Sequence, residues 1–595
     1  MMKKASKLTA LALASLMILS GCGAKGGKKE GKKAEGFKPN PVVENEGKNI
    51  ENGTLKVGII GESPFKGVFN ELYANDGFDM GIMQWIGQAG FFDSDPDFKN
   101  GDTGQGKFEF KPEEKKAILT IHEKATWSDG VPVTAKDFLR CYLILADKDY
   151  TGGRYTEYEN VVGMKEYHEG KAKDISGVKV LDDKHLEINF IEFDQSIYWG
   201  KGIPYAPVPD HIFKDIPVKE QQAHDAVRKN PLSCGAYVIK EIVPGQQVIA
   251  EANPYYAFGK PKTPRIQIKL VPSAQVVAAT KSGEYDIIDS FGSDLYEKFK
   301  ELKNGKIATN YAGGYGYISF KLGKWDKEKN EVVTDPNAKM ADKNLRKAMA
   351  MAVDRDTINK KLLNNLSNPL YQIIPPYFAT VYDKDFKGIP YDLEGAKKLL
   401  DEAGYKDTNG DGIREDKNGK PLKIKFAAMQ AGATQEPTVT FFVQQWKSIG
   451  LDVELATGRL IEFKNFYDKL DADDPEIDMY MAGWNTGTNP DPSGFYGRHA
   501  NFNMMRFASP ELDKLLKDVV ALDTFDSKVR LERYRAVSQY LVADEAIVIP
   551  TFSNTTKAFV NNRVKNYDIS FPKEGKAPFR NSDIELTKDA PEVDK

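Results

Sequence analysis

PTVTFFVQQWKSIGLDVEL, Pro437 to Leu455, is the stretch on which the fold reading turns. Val439, Phe442, Val443, Trp446 and Ile449 recur three or four residues apart, which places them on one face of a helix. Gly450 stands where a left-handed helix cap belongs, and Val453 and Leu455 then alternate as in a strand. YDLEGAKKLLDEAGY, Tyr391 to Tyr405, obeys the same grammar, with Ala396, Leu399, Leu400 and Ala403 on one face and Gly404 closing the helix. Two successive helix, glycine and strand units predict an α/β body. A later helix takes Ser509 as its N-cap and Pro510 as its first residue, burying Leu512, Leu515, Leu516 and Val519.

Working outward, VKVLDDKHLEINF alternates Val178, Val180, Leu186, Ile188 and Phe190 around Asp182-Asp183 and reads as a hairpin. Leu55 to Ile59, Ile118 to His122, Ile266 to Leu270 and Leu422 to Phe426 are further strand candidates. A chain of 595 residues exceeds what one core supports, so two or more domains are expected. Its formal charge of −3 gives no electrostatic footprint for nucleic acid.

The start, MMKKASKLTALALASLMILSGCG, joins Lys3, Lys4 and Lys7 to an apolar run from Leu8 to about Leu19. That run is shorter than the roughly 20 residues of a stable membrane span and reads as a signal peptide over 1–21. Leu19-Ser20-Gly21-Cys22 resembles the bacterial lipoprotein processing box, which implies cleavage before Cys22 and lipid on that residue. The segment 22–50, with AKGGKKEGKKAEG at its start, reads as a flexible tether rich in Lys and Gly. Beyond Cys22 only Cys141 and Cys234 remain, read as buried free thiols rather than a disulfide.

Catalytic signatures are missing. The six histidines are scattered, and no HExxH, GxSxG, GxxxxGK[ST] or strand-linked GxGxxG occurs, which tilts the reading toward binding without a cofactor. DTNGDGIRE, Asp407 to Glu415, spaces Asp407, Asn409 and Asp411 ahead of Gly412 like the start of a calcium loop, yet its twelfth position is Asn418. Gly410 and Gly412 equally suit a plain hairpin tip, and both readings stand. AGWNTGTNPDPSGFYGRHANFN, Ala482 to Asn503, is a loop by composition that carries Trp484, Phe495 and Tyr496, as if built to touch something.

Several stretches together resemble the large extracytoplasmic solute-binding proteins of peptide ABC importers, the oligopeptide-binding branch of family 5. The most specific is Trp127 to Phe138, WSDGVPVTAKDF, whose turn at Ser128-Asp129-Gly130 and N-cap at Thr134 also give it an architectural reading. NPLSCGAY (Asn230–Tyr237), NPYY (Asn253–Tyr256), KSGEYDI (Lys281–Ile287) and LRKAMAMAVDRDTI (Leu345–Ile358) match in family order, the last being similar to a family helix that ends in Asp-Arg. Cys234 departs from the small hydroxyl residue common at its position.

The resemblance implies a two-lobed, periplasmic-binding-protein-like α/β fold of the large peptide-binding type, with hinge strands and an inserted subdomain. Lobe 1 would comprise 51–90, 195–305 and 545–595, the inserted subdomain 91–194, and lobe 2 306–544. It also implies a monomer that hands oligopeptides to the permease of an ABC importer; with the lipid on Cys22 it would sit on the outer face of the cytoplasmic membrane, and the lysine-rich tether suggests a Gram-positive-like cell. The family places a Gly-Trp segment like the one at Trp484 against the ligand, so Trp484, Asn485, Thr486 and Gly487 are expected at the site. Relatives often carry an acid three residues after the tryptophan, where this chain has Gly487; either Asp491 holds the peptide's ammonium, or the peptide N-terminus is unanchored, and the plainer reading is that Asp491-Pro492 simply turns the chain. Tyr315 or Tyr317 would stack on ligand, core packing accounting for one of them, and Ser63 and Phe65 would supply the opposite wall. The same fold holding a signalling peptide, sugar or metal chelate is the alternative, with a secreted hydrolase more remote.

Overall fold

The computed structural model describes residues 37–594, apart from Ala89 and Gly575. The expected leader, Cys22 and the tether up to Gly36 lie outside the described residues. In chain order the strands used below are β1 (Thr54–Ile60), β2 (Gly106–Lys111), β3 (Lys116–Ile121), β4 (Val178–Val180), β5 (His185–Asn189), β6 (Tyr237–Val243) and β7 (Gln247–Ala252). They continue with β8 (Arg265–Val271), β9 (Ile287–Asp289), β10 (Gly305–Phe320), β11 (Lys423–Ala428), β12 (Asp452–Leu455), β13 (Met479–Trp484) and β14 (Val548–Asn561). The helices are α1 (Gly77–Trp85), α2 (Ala135–Leu145), α3 (Leu393–Glu402), α4 (Gln435–Ser448) and α5 (Pro510–Val519).

One mixed sheet runs β12-β11-β13-β10-β14-β9-β1-β8-β7-β6, and Asn368–Pro369 adds to β14. Its two ends carry separate cores, which makes two bodies. Leu55, Val57, Ile266 and Ile268 sit in the first. Ile424, Phe426, Val453 and Met479 sit in the second, against Val439, Phe442 and Trp446 of α4. Each such side chain, fully buried, contributes about 1.5–3 kcal/mol of transfer free energy. The hairpin β4–β5 belongs to a four-stranded antiparallel sheet, β2-β3-β5-β4, whose Ala117 and Leu119 share the first core with Phe138 and Tyr142 of α2.

The caps are where their residues direct. Gly404 and Gly450 take φ of +92° and +86° behind α3 and α4, and Ser509 Oγ accepts from Leu512 N at 3.1 Å at the start of α5. In WSDGVPVTAKDF, Trp127 N donates to Val131 O across the turn and Thr134 N to Asp137 Oδ2 at the start of α2, so this motif builds the fold. KSGEYDI places Asp286 in a fully buried pair with Arg563, both donor bonds at 2.6 Å. Asp354 does not end a helix with Arg355. It caps the next one through Thr357 N, while Arg355 turns inward to Pro550 O.

Two expected boundaries move. The tether cannot extend to residue 50: Phe37 is buried edge-on to Tyr311, and Val42–Val43 pairs with Tyr567–Asp568, so the chain joins the body by Phe37. Nor does lobe 2 begin at 306 and end at 544. Ala308 of β10 and Ala558 of β14 pack in the first core, whereas Ile318 and Ile549 of the same strands pack in the second. Both strands are shared, and the change of body falls inside them. Cys141 and Cys234 are free and buried; burial pushes the Cys234 thiol up to about 12.

Candidate ligand-binding site

Where β10 and β14 change bodies, their ladder slips. Tyr311 faces Thr555 and Tyr315 faces Ser553, four residues against two. Gly314 occupies the slip with φ of +153°, and a Cβ there would meet Trp484 O at 2.4 Å; one on Gly313 would meet Gly487 O at 2.5 Å. The crossover therefore needs glycines, because the loop after β13 lies directly on it.

That loop is built on an aromatic stack. Trp484 is only 6 % exposed and lies between Tyr317 (centroids 5.0 Å, 18° between planes) and Phe495 (4.5 Å, 21°). Tyr315 and Tyr496 are buried beneath, their hydroxyls 2.6 Å apart. On β13, β11 pairs only as far as Met481, so the outer edge of Ala482 to Trp484 has no strand partner. The loop then turns, with Asn485 Oδ1 accepting from Gly487 N, and Thr486, Gly487 and Asp491 emerge in the wall of a cavity of about 890 Å³. Across it stand Trp199, Lys201 and Tyr205 of the first body. Tyr205 and Thr488 also line a second cavity, about 850 Å³, walled by Trp85, Asp289, Tyr567 and Arg580. Together they make a trough between the bodies.

The bodies also touch beside the trough. Phe98 stacks on Tyr377 at 4.4 Å, Arg530 meets Asp97 at 2.9 Å, and Gln195 N donates to Val520 O at 2.9 Å. Phe98 and Trp199 consequently count in the second core although their segments belong to the first body. Asp491 accepts from Ser493 N at 2.9 Å. Burial raises its pKa, against the Ser493 hydrogen bonds and the Lys201 charge, which lower it.

Residues 106–504 match the description "Bacterial extracellular solute-binding proteins, family 5 Middle". The chain belongs to this family. It is 32% identical over 496 residues to the oligopeptide-binding protein OppA of Lactococcus lactis subsp. lactis, covering 82% of each chain. It is 27% identical over 526 residues to the oligopeptide-binding protein AppA of Bacillus subtilis, covering 87% of this chain and 89% of that one. Lactococcal OppA, solved with an endogenous peptide in the closed conformation, superposes with a TM-score of 0.77 at 30% identity, over 90% of this chain and all of that one. The two-lobed α/β fold of the family is thus the fold of this chain, and a family 5 protein is a binding protein, not an enzyme.

Measured on this family 5 chain, the expected site residues divide. Thr486, Gly487 and Asp491 line the trough. Trp484, Tyr315 and Tyr317 do not: their rings are consumed in the core, and they support the loop rather than stack on a ligand. Asn485 is exposed at the turn. Ser63 is exposed and Phe65 is buried against Phe69, and neither is among the residues lining these two cavities. The opposite wall comes from Trp85 at the end of α1, Asp289 at the end of β9, and Tyr567 to Ile569 with Phe579 to Ser582 near the C-terminus. These segments are more than 200 residues apart in places, and no local pattern connects them. Asp407, Asn409 and Asp411 also fail to converge. Asp407 accepts from Gly410 N and Gly412 N, Asp411 from Ile413 N, and Asn409 from Asp411 N, so the side chains hold a turn. Among the described residues no group of three or more His, Cys, Asp or Glu is arranged to hold a metal.

Proposed function

We propose that this family 5 protein is a lipid-anchored receptor that holds oligopeptides in the trough and delivers them to the permease of an ABC importer. The observation that carries the peptide reading is the unpaired outer edge of Ala482 to Trp484 running into Thr486 and Gly487 at the trough wall. An extended main chain can add there as a strand, and backbone pairing is indifferent to side-chain identity. The names of the OppA and AppA relatives support the same ligand class. Asp491, across from Lys201, is the acid available to a peptide ammonium on the second body. The shared strands β10 and β14 serve as the hinge, and a ligand touching both bodies favours the closed population that a permease can distinguish.

Mass spectrometry of what denaturation releases from the purified protein is expected to give oligopeptides in near-stoichiometric amount. A protein that releases none, and whose melting temperature no peptide raises, is not an oligopeptide receptor. Anchoring is read separately: Cys22→Ser is expected to move the protein from the membrane fraction to the medium, and retention on the membrane would rule out the lipid anchor.

A further inference from the structure

The first-body half of the trough differs in charge from the half it joins. Glu71, Asp93, Asp289 and Asp568 line it, and the one basic residue in its lining is Arg580. Arg580 is already committed to Asp93, stacked over Phe258 with its guanidinium 4.1 Å from the ring centre. Asp568 accepts from Ser570 N. Among the described residues Asp289 accepts a single hydrogen bond, from Trp85 Nε1 at 2.7 Å, and meets no cation. Among the described residues Glu71 has no hydrogen-bond or ion-pair partner. Arg154, whose charge acts on it, is turned to Glu157 and Ala74 O. The low-dielectric surroundings raise both carboxyls, and neither has a cation in hydrogen-bond contact, while both keep part of their surface open. The adjoining cavity is balanced by contrast: Glu157, Asp491 and Asp513 face Lys201, Arg498 and Lys517.

A carboxylate set in low-dielectric surroundings without an ion pair is stabilised when a cation arrives to meet it. The cavity here is open to the rest of the trough and has the volume for a long side chain. Trp85 and Tyr567 reach its lining with rings that are themselves almost wholly buried. We infer that the first-body cavity is a cation subsite in which Asp289 and Glu71 receive an ammonium or guanidinium group of the bound peptide, selecting basic peptides from an otherwise permissive pool. The inference rests on the peptide-receptor reading above, and it adds a side-chain preference that main-chain pairing cannot provide.

The test uses the full protein and nonapeptides of Ala, Gly and Ser in four forms: with one central Lys or with norleucine in its place, each with a free or an acetylated N-terminus. Calorimetry is expected to give tighter binding of the Lys peptides. Asp289→Asn, which can still accept from Trp85, is expected to cut that binding by about 30-fold or more while leaving the acetylated norleucine peptide unchanged. Glu71→Gln should act in the same direction. If acetylation alone removes the advantage, the cation in the subsite is the peptide's own N-terminus; if Lys retains it after acetylation, the cation is a side chain. Equal affinities for all four peptides, unaltered in both variants, would overturn the subsite and leave the receptor reading intact. Failure of all four to bind would instead remove the receptor reading. Melting curves of both variants confirm that each is folded.

Discussion

The second body presents the trough with a loop whose main chain does the facing, while its large side chains are turned inward into the Tyr317–Trp484–Phe495 stack. The first body presents side chains, Trp85, Asp289 and Arg580, anchored on elements far apart in sequence. Behind one wall lie aromatic rings packed against one another. In the other, acids wait without counter-ions. On the reading proposed above, adaptability and selectivity reside on opposite walls: rings held in a packed core keep backbone groups in place for any guest, and carboxylates without an ion pair reward a particular guest.

Truncating the stack should give the largest effect. Trp484→Ala removes a buried ring from between two others and is expected to cost about 3–5 kcal/mol in denaturant unfolding. A cost below about 1 kcal/mol would show that the ring is a dispensable ligand surface and would erase the contrast between the walls. A smaller effect of opposite sign is expected on the other side. Burial raises the Asp289 carboxyl in the folded state, so that group's contribution to stability is fully present below its unfolded pKa and is lost as pH rises through the folded one. At pH 7 the ionised acid without an ion pair is therefore a burden, and Asp289→Asn should raise the melting temperature of the ligand-free protein. The gap between the two proteins should close below about pH 4, where both side chains are neutral. A lower melting temperature for Asp289→Asn at pH 7 would mean that the carboxylate is satisfied by the fold and is not held in reserve for a ligand.

Much of the fold was legible because its signals are local. The caps at Gly404, Gly450 and Ser509 each rest on one residue's conformational preference, and α3, α4 and α5 follow from the spacing of their apolar faces. The loop after Trp484 was recognisable by composition, and Thr486, Gly487 and Asp491 reach the trough. The same composition misled about Trp484 itself. A tryptophan at the edge of a polar run looks exposed, but the run begins as β13, and its register beside β10 carries the ring into the core. Ser63 and Phe65 were misplaced for a related reason: following the first strand says nothing about which end of the sheet meets the other body.

Sequence by itself determined the alternation of helix and strand, the family, and the backbone-bearing loop, because period, cap chemistry and motif are written within a dozen residues. Only the tertiary structure decided that Trp85, Asp289 and Tyr567 share a wall, that β10 and β14 belong to both bodies, and that Asp289 lacks a cation. Those facts depend on which distant segments displace water from one another, and the free energy of a charge is set by that surrounding and not by its neighbours along the chain.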